Sequence, residues 1–214
     1  MHKYPCGDQA CGPATYVDLL GVNAFGNFRD LLKSITLGHA MGEYLDMKGS
    51  GKADAVLGTI PSENYARELQ ELFTIGKGAE IQPGNYTHYT EDDIKAAARI
   101  LTGWKDDQAS VSITFADSEH DTLDKKFSSN YGSVVIKGRS GQAGAEAELD
   151  ELLTMIFSQS ETAKYLCRKI YRWFVSTEIT PDIEQNIIIP LADIFRSNNY
   201  EIKPVLQKLF NSAH

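Results

Sequence analysis

The sequence predicts a mainly α-helical protein, a multi-helical domain interrupted by a small irregular or β-hairpin insertion near residues 105–144. Three observations carry this. Apolar residues recur at spacings of three and four along most of the chain, helix start and stop residues bracket those runs, and the period breaks down between residues 105 and 144. At 214 residues without a second composition regime, the chain reads as a poorly defined N-terminal segment, 1–23, followed by one helical domain, 24–214. The amphipathic run that stops at His214 without a clear cap suggests a fragment of a longer protein.

The elements follow in order. In residues 25–37, Phe28, Leu31, Leu32 and Ile35 share one helical face, and a short second helix is expected over 40–45. The Gly-rich stretch 47–60 is a connection. Ser62 is the expected N-cap of the next helix, whose apolar face is Tyr65, Leu69, Leu72 and Phe73 and which Gly76 and Gly78 end. Thr90-Glu91-Asp92-Asp93 places acidic residues against the positive end of a helix dipole, Ile94, Ala97, Ala98 and Leu101 form its narrow face, and Gly103 stops it. Two β-prone pieces follow, 111–115 and 133–137. Helices return over 146–157, 161–176, 182–197 and 202–210, with Pro181 suited to a first turn and Pro190 expected to kink or split its helix.

Composition narrows the function classes. The balance of 42% hydrophobic and 23% charged residues is that of a folded globular chain. No apolar run approaches the ~20 residues that span a bilayer, so no transmembrane segment is expected. Twenty-nine acidic against 21 basic residues give a net charge of −8, a field that repels nucleic-acid phosphates, and the Arg168-Lys169-Arg172 cluster reads as a solvated helix face. Cys6 and Cys11 are close enough to bridge if the protein is exported, and would be free thiols in a reducing compartment, whereas Cys167 falls among apolar helix positions.

Two polar constellations stand out. Glu63, Arg67 and Glu71 are spaced by four, an acid-base-acid ladder beside Asn64 that would stabilise the helix or organise the interior. Glu68 and Glu71, with His120 and Asp121 from the insertion, form the alternative set: carboxylates and an imidazole able to hold a divalent metal and activate water in a hydrolase. Asp117, Glu119, Asp121 and Asp124 hint at calcium, but Thr122 stands where an EF-hand needs glycine and Ser128 where it needs a chelating glutamate. Nucleotide, esterase, zinc-peptidase and Rossmann signatures are missing from the sequence. No metal or other cofactor is favoured. Tyr171, Trp173 and Phe174 offer a further alternative, an aromatic platform for glycan or peptide.

PSENYARELQELFTIG from Pro61, TEDDIKAAARILTGW from Thr90 and HDTLDKKF from His120 resemble, in this order, motifs of the bacterial family known as domain of unknown function 1800. The resemblance runs from about Ala24 to the C-terminus, with Leu123 standing where the family is expected to prefer glycine. It implies a mainly helical domain of a larger exported, periplasmic or cell-envelope bacterial protein, with protein or other envelope components as partners. It carries no agreed active site. Together, residues and resemblance favour a structural or interaction module, with the metal-dependent hydrolase and the glycan or peptide binder as alternatives.

Overall fold

The computed structural model describes residues 11–107 and 112–212. The order is α1 (Cys11–Asn23), α2 (Phe28–Thr36), α3 (His39–Tyr44), α4 (Asn64–Glu71), β1 (Glu80–Gln82), β2 (Asn85–Tyr86), α5 (Glu91–Ile100), β3 (Trp104–Asp107), β4 (Ser112–Phe115), β5 (Lys125–Lys126), β6 (Val135–Ile136), α6 (Gly141–Ser158), α7 (Ser160–Phe174), α8 (Pro181–Ile183), α9 (Ile189–Ser197) and α10 (Ile202–Phe210). The protein is mainly α-helical with small antiparallel hairpins, β1-β2, β3-β4 and β5-β6. Among the described residues no helix is long and apolar enough to cross a membrane.

Local chemistry sets most boundaries. Asn27 caps α2 by accepting from the amides of Arg29 and Asp30 at 3.0 and 3.2 Å. Thr90 and Asp93 close a reciprocal capping box on α5. Thr180 caps α8, with Pro181 in its first turn where no amide is needed. Pro190 divides its helix: it cannot donate to the preceding turn, and a π-helical turn, Glu184–Ile188, takes up the misfit between α8 and α9.

Several boundaries differ from the sequence expectation. Helix α1 lies where no element is predicted. Ser62 does not cap α4; Glu63 occupies the N-cap position without a side-chain hydrogen bond, while the Ser62 amide donates to Ser50 Oγ at 2.9 Å and anchors the incoming loop. The hairpin β1-β2 precedes the expected insertion, turning at Gly84, whose φ of +76° is one that L side chains rarely adopt. Within the insertion there are two hairpins, and Trp104 is a buried strand residue stacked edge-on at 5.0 Å against Phe115.

The core runs through α4, α5, α6 and α7, where Ala66, Leu69, Ile94, Ala97, Leu152 and Ala163 are completely buried. The alanines of α5 permit the close approach of α4. Buried tyrosines find partners, as they must away from water: Tyr65 donates to Thr36 Oγ1 at 2.7 Å, Tyr131 to Gln70 Oε1 at 2.8 Å and Tyr200 to the Phe157 carbonyl at 2.7 Å.

Candidate functional site

The signature helix α4 presents its charges to two neighbours. Arg67 holds both carboxylate oxygens of Glu91, at the start of α5, at 2.6 and 2.7 Å, and reaches Glu63 at 3.2 Å. This planar fork explains the shifts at both ends: the hydrogen bond from Arg67 holds the Glu91 carboxyl below its ordinary range, and the same contact pushes the Arg67 pKa up. The expected ladder changes partner at its second step. Glu71 turns away to pair with Lys77 at 2.8 Å and to accept from Tyr89 at 3.4 Å, because the chain doubles back after α4 and returns Lys77 to the helix end. Asn64 is exposed at the first turn. Glu68 lies half-buried, and its Oε2 has no hydrogen-bond partner among the described residues.

A second cluster sits where the insertion meets α6. His120, Lys125 and Glu148 all have side chains at 0% exposure. Glu148 Oε2 accepts from Lys125 Nζ at 2.5 Å, while its Oε1 accepts from the Arg139 amide at 2.6 Å and lies 3.4 Å from His120 Nε2. His120 Nδ1 faces the Thr102 carbonyl at 2.9 Å, so both ring nitrogens lie within hydrogen-bond distance of oxygens. Lys125 Nζ also donates to the Asp121 carbonyl, which links this cluster to the next ion pair. There Arg99 of α5 grips Asp121 at 2.7 and 2.9 Å. Burial alone would push the Asp121 carboxyl up, but the hydrogen bonds from Arg99 and from the Leu123 amide outweigh it and hold the group below its ordinary value. The Leu123 amide bond, 2.9 Å, makes this a side-chain-stabilised turn, and Leu123 is tolerated because its backbone is not left-handed. Close backbone approach instead demands glycine at Gly138, where an added Cβ would lie 2.0 Å from the Thr122 oxygen.

Asp93 ties the same loop to α5. Completely buried, it accepts from the Thr90 amide at 2.8 Å, from the Ser128 amide at 2.6 Å and from Ser128 Oγ at 2.7 Å.

These contacts sort the residues singled out from the sequence. His120 and Asp121 are neighbours in space that face different partners, and no described contact joins either to Glu68 or Glu71. Among the described residues no three His, Cys, Asp or Glu side chains converge as a metal site. The acidic residues of the loop also diverge: Asp117 accepts from the Gly141 amide, Glu119 pairs with Lys105 and Asp124 with Lys137. In α7, Tyr171 is buried while Trp173 and Phe174 are exposed. The Cys6–Cys11 pair lies outside the described side chains, and Cys167 is buried, its thiol pushed up to about 12 by desolvation. Sequence reasoning missed Arg99, Glu91, Asp93, Lys125 and Glu148 as members of these clusters. A signal existed for Glu148, which falls three residues after Ala145 and four before Leu152, in the core phase of α6.

No match was found among curated proteins or among solved structures. A family described as "Protein of unknown function (DUF1800)" matches residues 5–214, so the match reaches further toward the N-terminus than the motifs beginning at Ala24. With that match spanning nearly the whole chain, and the motif-bearing residues placed in α4, α5 and the loop they brace, the chain belongs to the DUF1800 family.

Proposed function

We propose that this domain is a helical interaction module of an exported bacterial protein, and that its motif charges serve the fold rather than a reaction. The observation that carries the reading is the sealing of His120, Lys125 and Glu148 at 0% exposure, because a catalytic group must touch its substrate. The other motif charges are met across elements: Arg67 pairs with Glu91 and Arg99 with Asp121, while Asp93 accepts hydrogen bonds from Ser128. Export rests on the family resemblance.

The contact surface we propose is the end of α7 and α10. Trp173 is 83% exposed, and Phe174 and Phe210 are exposed while stacking edge-on at 5.2 Å. Arg172, exposed and next to Trp173 in the sequence, has no ion-pair partner among the described residues. Trp, Phe and Arg are the side chains that anchor protein interfaces, and the unpaired cation selects a partner surface combining apolar and acidic residues. The test is a photoreactive phenylalanine analogue in place of Trp173 in the full-length protein, irradiated in its own cell, with the exposed Asp92 position as control. A discrete crosslinked protein at 173 and none at 92 supports the reading. Identical products at both positions, or a glycan adduct at 173, overturns it.

A further inference from the structure

A hollow of about 360 Å³ opens between α1, α2 and α7. Leu32, Leu166 and Phe195 line it and are themselves buried, and Ile35 and Ile170 complete an apolar wall. Its volume falls at the lower end of the roughly 300–1,000 Å³ typical of small-molecule sites. Among its lining side chains, oxygen and nitrogen are supplied by the Tyr16 phenol and the Lys169 ammonium.

Lys169 differs from Lys164 and Arg168 of the same helix. Lys164 and Arg168 pair with Glu161, and Arg168 also pairs with Glu184. Lys169 has no carboxylate at ion-pair distance among the described residues. Its Nζ donates to the Leu72 carbonyl at 2.5 Å and sits 5.2 Å from the centre of the Tyr165 ring. Desolvation holds its pKa below that of an ordinary lysine. An ammonium carries three donors, and one carbonyl leaves two without a described acceptor beside an apolar hollow.

We propose that this hollow binds a single-chain amphiphile with a carboxylate head, its tail against the Leu32 and Ile170 walls and its head accepting charge-assisted hydrogen bonds from Lys169. The lining dictates each part of that ligand. An apolar wall rewards a hydrocarbon tail and leaves hydroxyls without partners. One ammonium matches one monoanion; a phosphate dianion is ordinarily held by several donors, and the described lining has no second cation. The site is separate from the proposed docking surface, since Trp173 is not among its lining residues, so either reading can fail alone.

The experiment is calorimetric titration with hexanoate, octanoate and decanoate, each below its micelle concentration at pH 7.5, alongside decanol and decyltrimethylammonium. Affinity for the acids should rise about fourfold per methylene until the hollow is filled, following the transfer free energy of a buried methylene. Decanoate should exceed decanol, and decanol the cation. In Lys169→Gln, a change at an exposed position, that head-group order should collapse while chain-length dependence persists. Ile35→Trp, which fills the hollow, should abolish binding of every chain. An unchanged head-group order in Lys169→Gln, an absence of chain-length dependence, or normal binding by folded Ile35→Trp would each overturn the proposal. Should Ile35→Trp not melt cooperatively, Lys169→Gln decides alone.

Discussion

Replacing Asp93 by alanine isolates what one buried carboxylate contributes to joining α5 with the loop around Ser128. The side chain accepts four hydrogen bonds, from Thr90 N, Thr90 Oγ1, Ser128 N and Ser128 Oγ. Loss of the capping box removes about 1 kcal/mol, and leaving the Ser128 amide without its acceptor adds about 1–3 kcal/mol. The sum, about 2–4 kcal/mol, corresponds to a fall in Tm of roughly 4–16 °C for a chain of this size. Asp92 is the internal control: it neighbours Asp93 in the same acidic first turn, yet its side chain is 88% exposed and its bridge to Lys95 is a surface pair. Asp92→Ala should change stability by less than about 0.5 kcal/mol. Thermal and urea melts of the two variants measure the difference. If Asp93→Ala is no worse than Asp92→Ala, the claim that motif carboxylates brace the interior fails at its best-connected member.

Other perturbations probe the remaining clusters. Arg67→Ala should lower stability by about 1–2 kcal/mol rather than the ~3–5 expected for a fully buried charge, because its side chain is 30% exposed; a loss within about 0.3 kcal/mol in urea melts would remove Arg67 from the bracing account. Asp121, Glu91 and Glu184 have folded-state pKa values held below the ordinary carboxylate range. Their stabilisation is therefore present above the unfolded carboxylate pKa of about 4 and is lost as pH falls through the depressed folded values, so stability should decline from about pH 5 downward. Urea melts between pH 6 and 2 read this, and a flat profile across that range contradicts it. Cys167, its thiol pushed up to about 12, should resist alkylation at pH 8 in the native state and react once unfolded; peptide mass mapping separates it from Cys6 and Cys11.

How much of this was legible depended on the reach of each interaction. The faces of α2, α4, α5 and α10 follow from apolar spacing, and the box at Thr90 and Asp93 from four consecutive residues, so these are local signals. Arg99 and Asp121 lie 22 residues apart and Lys125 and Glu148 lie 23 apart, so their pairing depends on how the insertion folds back on α5 and α6. The ladder on α4 was half right for a related reason. A spacing of four permits both Glu63 and Glu71 to reach Arg67, but Glu91 from the next helix offers two oxygens and Lys77 draws Glu71 away. The hairpin β1-β2 hid differently: Pro83-Gly84 marks its turn, while β1 is exposed throughout and shows no alternation. The hollow beside Lys169 joins the Phe28, Leu31, Leu32 and Ile35 face of α2, which the spacing shows, to residues of α1, α7, α9 and α10 that only the fold brings to it.

On the proposed reading, the sealed Lys125–Glu148 ion pair, with His120 beside it, holds the domain together. A double-mutant cycle of Lys125→Met and Glu148→Gln, followed by urea unfolding, tests it most directly. Each single change should remove about 3–5 kcal/mol, since it leaves a buried charge unpaired. The double variant should recover at least about 1 kcal/mol relative to the sum, because removing both charges removes the mismatch. Single variants that lose less than about 1 kcal/mol, or losses that simply add, would contradict the account.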